Sequence, residues 1–173
     1  MTSPELEVIP AHHEWTWYRL QDSRQLIEHE DFDERIAAWA SESVMCRHNH
    51  ISTISHIEGD SAINGTLIAR LADSAGDGWI FHYYVNGDKL ITSGDTGWLE
   101  QLVGVEAWEE YIRKQPSPID GFIFIINSFI RALFSRMDKI ELDLMKIEDR
   151  MQSSNGSRLL KEIIDLRNQL TRW

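Results

Sequence analysis

A chain of 173 residues with 42% hydrophobic and 26% charged residues has the composition of an ordinary globular domain, which excludes a fibrous repeat or wholesale disorder. Its formal net charge of −11 repels phosphate backbones and anionic lipid headgroups, so nucleic acid is excluded as an expected partner and small cations are favoured. Cys46 is the single cysteine, which rules out an internal disulfide and points to a reducing compartment.

The opening residues MTSPELEVIP carry neither a basic region nor an apolar run, so no signal peptide is expected. His12-His13 reads as surface and receives no role. Glu14 to Leu20 (EWTWYRL) is aromatic and alternating, which predicts a strand. Asp31 to Ser41 then places Phe32, Ile36 and Trp39 at helical spacing, with Asp31 or Asp33 as the cap. Strands are predicted over His48 to Ile57, Thr66 to Leu71, Trp79 to Val85 and Lys89 to Thr92. The turns fall at Gly59-Asp60, Asn64-Gly65, Gly76-Asp77-Gly78 and Asn86-Gly87-Asp88. The clearest local signal is FHYYVNGDKLIT, a hairpin with Asn-Gly at the tip, where positive φ is cheap.

From Asp95 the period becomes helical. Trp98, Leu99, Leu102 and Val103, then Val105, Trp108, Tyr111 and Ile112, predict two short helices before Gln115-Pro-Ser-Pro118. Beyond Pro118, apolar residues recur at Phe122, Ile126, Phe129, Ile130, Leu133, Met137, Ile140, Leu144, Ile147 and Met151 with no internal proline. One helix from Pro118 to Met151 is predicted, roughly 50 Å long at 1.5 Å per residue. A compact domain of this size is only about 40 Å across, so the helix is expected to project from its base. Its most apolar part, Gly121 to Phe134, falls short of the ~20 residues that span lipid and reads as a buried segment. Ser153-Ser-Asn-Gly-Ser157 predicts a turn, and Arg158 to Trp173 a return helix that stops without a terminating signal. The expected architecture is an α/β (α+β) fold, an αβα sandwich around a mixed, largely antiparallel sheet, with a long projecting helical hairpin. It divides into residues 1–117 and 118–173.

The order of these elements carries a resemblance: the hairpin ending in Leu-Ile-Thr, the proline, the apolar helix start, then MDKIELDLMKIEDRM, a short break and LLKEIIDLRNQL. From Trp79 to Leu170 this resembles the cytosolic domain of CorA-type magnesium and cobalt transporters and their zinc-handling ZntB relatives. The resemblance implies a stalk and two membrane helices beyond Trp173, a pore-entrance Gly-Met-Asn that has no match here, and assembly of the parent into a homopentamer. It implies that the chain sits on the cytoplasmic side of the membrane, that only absent segments enter lipid, and that this portion does not itself transport. The family commonly carries aspartates in the first turns of this helix, one of which helps bind regulatory magnesium between subunits, and their positions align with Asn127 and Arg131. A guanidinium cannot ligate a cation and an amide is a weaker ligand for a hard ion than a carboxylate, which leans the reading toward a divergent or ZntB-like member.

Two sets of residues could hold a divalent cation, magnesium or zinc, although no cofactor is required for the fold. Asp138, Glu141 and Glu148, with Asp143 and Asp149, offer oxygen ligands on the projecting helix. The same run also reads as a solvated face laced with Lys139, Lys146 and Arg150. Cys46, His48 and His50 alternate, so one strand would aim all three to one side, with His56 as a fourth ligand. That spacing matches no established zinc-finger pattern. There is no HExxH, no Gly-rich phosphate loop and no nucleophile with a base at motif spacing, so no enzyme is expected. The leading expectation is a regulatory domain that self-associates and responds to divalent cations. The alternative is a soluble interaction module with no ion role.

Overall fold

The computed structural model of the chain describes residues 6–27, 29–55, 61–69, 79–94, 105–153, 160–164 and 167. Strands β1 (Glu7–Pro10), β2 (Thr16–Leu20), β3 (His50–Ile54), β4 (Ala62–Ala69), β5 (Trp79–Val85) and β6 (Lys89–Gly94) form one open sheet in the order β1-β2-β6-β5-β4-β3. All neighbours are antiparallel except β2 and β6, which run parallel with Trp17 opposite Leu90. Helix α1 (Glu34–Met45) and a 3₁₀ turn at Ser23–Leu26 cover one face; α2 (Val105–Arg113) and the start of α3 (Pro118–Ser153) cover the other. The fold is the expected mixed α+β sandwich with a long C-terminal helix.

The β5–β6 hairpin forms as read, but its turn closes differently. Asn86 Oδ1 accepts from the amides of Asp88 (3.3 Å) and Lys89 (2.8 Å). Positive φ is confined, among the described residues, to Glu14 and Gly94. The side chain of Asn86, an Asx-type device, replaces the left-handed glycine.

Asn64-Gly65 is not a turn; both residues lie inside β4, with Gly65 paired to Ile51 and Tyr83. Any Cβ at Gly65 would stand 2.2 Å from the His50 carbonyl oxygen and 2.5 Å from the Tyr83 hydroxyl. The glycine is there so that the tyrosine ring can lie against the backbone, a close approach that sequence alone cannot tell from a turn. The turn residues Gly59-Asp60 and Gly76 to Gly78, the short helix at Trp98 to Val103, the break after Ser153 and most of the return helix lie outside the described residues. Strand β1 was not expected. It is a four-residue edge strand with one buried side chain, Ile9, and a terminal proline of the kind edges tolerate.

Under α2 and α3 the core is aromatic. Trp17 meets Trp108 edge-on at 5.1 Å, and Tyr83 meets Phe122 at 4.4 Å between ring centroids. Trp17 Nε1 donates to Thr92 Oγ1 at 2.9 Å, and Trp15 Nε1 to the Gln115 carbonyl at 2.9 Å, so β2 is tied to the segment that launches α3. Arg19 bridges Glu7 of β1 and Glu109 of α2 and lies over the Trp17 and Trp108 rings.

Ser117 and Asp120 form a capping pair at the start of α3: the Asp120 amide donates to Ser117 Oγ at 3.2 Å, and that hydroxyl donates to Asp120 Oδ2 at 2.6 Å. Pro118 fills the first turn, where a missing N–H costs nothing. The helix runs 36 residues without interruption, about 54 Å. Among its described side chains, those buried against the sandwich lie at its beginning: Phe122, Ile125, Ser128 and Ala132.

This seated stripe differs from the predicted one. Ile125 belongs to it and Ile130 does not, because small side chains at Gly121, Ser128 and Ala132 let the helix approach closely. Gly121 to Phe134 is therefore only half buried: Ile123, Ile130 and Phe134 are exposed. By length and composition the helix is apolar enough to cross a membrane, with a best window of mean hydropathy 1.3. Its far half exposes Met137, Leu142 and Met145. There Ile147 is buried, and Arg150 pairs with Glu162 through its two terminal guanidinium nitrogens, at 3.1 Å from Nη1 and 2.5 Å from Nη2. The pair places the helical residues 160–164 alongside α3 as the return arm of a hairpin.

Candidate metal centre

Helix α1 begins at Asp33, whose Oδ1 accepts from the amides of Arg35 (3.1 Å) and Ile36 (3.0 Å). It buries Ile36, Trp39, Ala40 and Ser43 against the sheet. At its other end no glycine supplies a left-handed cap. Cys46 leaves the helix directly in extended conformation (φ −74°, ψ 127°), with its amide bonded to the Ser43 carbonyl. Arg47 folds back and its Nη1 donates to the carbonyls of Val44 (2.9 Å) and Cys46 (2.8 Å), satisfying acceptors that the helix end leaves over. Asn49 Oδ1 accepts from the Ile68 amide at 2.5 Å and ties the connection to β4. Residues 47 and 49 thus hold the connection while the side chains of 46, 48 and 50 gather on its other side.

The result gathers the three predicted ligands for a reason other than the expected one. Cys46 caps a helix, His48 lies in the connection and His50 opens β3, so they do not share one strand face. The bend at the helix end brings them together instead. Cys46 Sγ is 3.3 Å from His50 Nδ1 and 4.0 Å from His48 Nδ1, and one ligand atom from each residue lies within 4.8 Å of the others. Tetrahedral zinc would place sulfur and nitrogen about 3.6 Å apart and two nitrogens about 3.3 Å apart, from Zn–S near 2.3 Å and Zn–N near 2.05 Å. The two sulfur–nitrogen separations bracket the first value, and the two nitrogens would draw together from at most 4.8 Å on binding. Cys46 is buried, His50 half-buried and His48 exposed, so the set opens toward solvent on the His48 side. This cluster could hold a metal ion. His56 lies outside the described residues.

The other candidates do not converge. Among the described residues, no second group of three acidic, His or Cys side chains meets the geometry of a metal site. Asp138, Glu141 and Glu148 are exposed along the far half of α3. Asp143 is paired with Lys146 at 2.8 Å, and that hydrogen bond holds its carboxyl below the usual aspartate range. Asn127 and Arg131 are exposed one turn apart. His12 sits 3.9 Å from Glu110 at the surface.

One polar residue escaped the sequence reading. The register places His50, Thr66, His82 and Ser93 in a row across β3, β4, β5 and β6. His82 Nδ1 is 2.8 Å from Thr66 Oγ1 in the buried interior. His82 also lines a cleft of about 220 Å³ with Asp22, Arg24, Val44 and Arg47, directly beside the ligand-bearing connection. Burial, reinforced by the charges of Arg47 and His50 and opposed by Asp22, pushes the His82 imidazole down to about 4. The unfolded chain binds that proton near pH 6.5, so this contribution to stability is complete above that value and is lost as pH falls from about 6.5 to 4. The loss amounts to as much as about 3 kcal/mol. Denaturant unfolding across that range is expected to show a slope that His82→Asn flattens; an unchanged slope in the variant assigns the acid sensitivity elsewhere.

No protein-family model matches this chain, and no curated protein matches it.

Proposed function

We propose that this chain is the cytosolic regulatory and assembly portion of a CorA-like divalent-cation transporter, and that it does not itself move ions. The observation that carries the reading is α3, a 36-residue uninterrupted helix seated on the sandwich at its beginning, with Met137, Leu142 and Met145 exposed along its far half. A globular core gains nothing from such a rod. A lever that passes a conformational signal from a sheet domain to a distant element requires one. The exposed Met137, Leu142 and Met145, continued from Phe134, give the far half apolar surface for self-association in the parent protein. The Cys/His/His cluster supplies a place where a divalent cation such as zinc or cobalt would act; magnesium, which takes oxygen ligands, would need the acidic face of α3. A cation that binds one arrangement of the domain better than another shifts the balance between them.

The competing reading, an interaction module with no ion role, draws on the same exposed apolar face and on the absence of convergent carboxylates along α3. Two measurements separate them. In the parent reading frame, two apolar stretches of ~20 residues flanking Gly-Met-Asn are expected beyond Trp173. In thermal melts with magnesium, cobalt and zinc added separately, at least one is expected to raise the midpoint, since a ligand at 100 times its Kd adds about 2.7 kcal/mol to the native state. No shift with any of the three up to millimolar levels, together with no apolar stretches, leaves the interaction module standing.

A further inference from the structure

We infer that Cys46, His48 and His50 form a three-ligand, solvent-open site for a thiophilic divalent cation of the zinc and cobalt class, and that this ion clamps the exit of α1 onto the first residue of β3. The inference takes its purpose from the cation-responsive reading above, while its location stands on geometry alone.

The ligand chemistry selects the ion. One sulfur and two imidazole nitrogens suit zinc and cobalt, whereas magnesium demands oxygen donors in near-octahedral array. The Cys46 thiol now points to the His48 carbonyl oxygen at 3.3 Å. On binding, the S–H bond breaks, the proton leaves to solvent, and the sulfur keeps the electron pair it donates to the metal.

The number of ligands selects the kind of site. Structural zinc sites are closed by four protein ligands, whereas three leave a position for water or an exchangeable group. Here the third ligand, His48, is exposed, so the ion can enter and leave without unfolding the domain. That is the behaviour of a sensor rather than a staple.

The position selects the effect. The three ligands span the helix cap, the connection and the strand start. Arg47, between the first two, lines the cleft together with Val44 of α1 and His82 of β5. An ion at the site fixes the connection and, with it, the wall of that cleft.

Cobalt(II) titration of the purified chain reads the site directly. A one-to-one complex is expected with a sulfur-to-cobalt charge-transfer band and the intense visible bands of tetrahedral cobalt. Zinc should displace it, a large excess of magnesium should not, and EDTA should strip it quickly. Cys46→Ser should remove the charge-transfer band. His48→Ala, at an exposed position where folding is not at risk, should weaken binding on the order of 100-fold while leaving the circular dichroism unchanged. His12→Ala should change nothing. A charge-transfer band that survives Cys46→Ser, binding indifferent to His48→Ala, or no cobalt complex at all overturns the site. If magnesium still raises the melting midpoint in that event, the cation-responsive reading stands without this site. If the cobalt complex forms as expected but no membrane segments follow Trp173 in the parent, the site stands and the transporter reading falls.

Discussion

Replacing Trp108 by alanine is expected to cost about 3–5 kcal/mol, the range for deleting a large aromatic from a close-packed core. At about 2–4 °C per kcal/mol for a chain of this size, the melting midpoint should fall by roughly 10 °C. Trp108 is wholly buried, and its ring fills the angle between Trp17 on the sheet and the Arg19 guanidinium above it. Among the described side chains of α2, Trp108 is the largest that is wholly buried, so its loss opens a cavity that the strands beneath cannot readily collapse to fill. Trp108→Phe is a sharper control. The indole N–H has no hydrogen-bond partner among the described residues, so phenylalanine keeps a ring against Trp17 while removing a donor that is costly to bury. Its destabilisation should stay nearer 1–2 kcal/mol. Urea unfolding of the three proteins gives the comparison; equal losses for Ala and Phe would show that the indole edge, not the ring volume, carries the contact.

Leu142→Pro is expected to break the far half of α3 and leave the sandwich intact. Leu142 is exposed, so the change removes little packing. The proline ring nevertheless deletes the amide bond to the Asp138 carbonyl and collides with that oxygen, a cost of about 3 kcal/mol in a helix interior. Far-UV circular dichroism should lose helical signal, and the Arg150–Glu162 pair and the Ile147 contact should go with it. The near-UV signature of Trp17 and Trp108, which reports the seated part, should not change. Loss of both signals together would mean that α3 is bound to the sandwich along its whole length and is no lever.

How much was legible in advance follows from how far apart the deciding atoms lie in sequence. The β5–β6 hairpin, an aspartate cap at Asp31 or Asp33, the Pro118 start and the uninterrupted run of α3 were all readable, because each is made by bonds spanning a few residues. Asn64-Gly65 misled because its reason, the Tyr83 ring against Gly65, lies on another strand. The stripe of α3 was misread at Ile125 and Ile130 because periodicity gives the existence of an apolar face, while the sheet below decides its centre by how close the helix can come. Cys46, His48 and His50 were grouped from their residue types, and they do come together, but through the bend at the end of α1 rather than on one strand face. His82 went unnoticed because a lone histidine in an apolar strand carries no signal until pairing aligns it with Thr66.

By itself the chain of residues determined the local segments, the acidic balance and the ligand types available to a cation, all properties of short-range bonding and composition. Only the folded arrangement decided that β2 lies parallel to β6, that Ile125 rather than Ile130 seats α3, and that the exit of α1 brings Cys46, His48 and His50 together. Those outcomes depend on pairings and close approaches between residues distant in sequence, where the deciding quantities are shape and register, which no local pattern encodes.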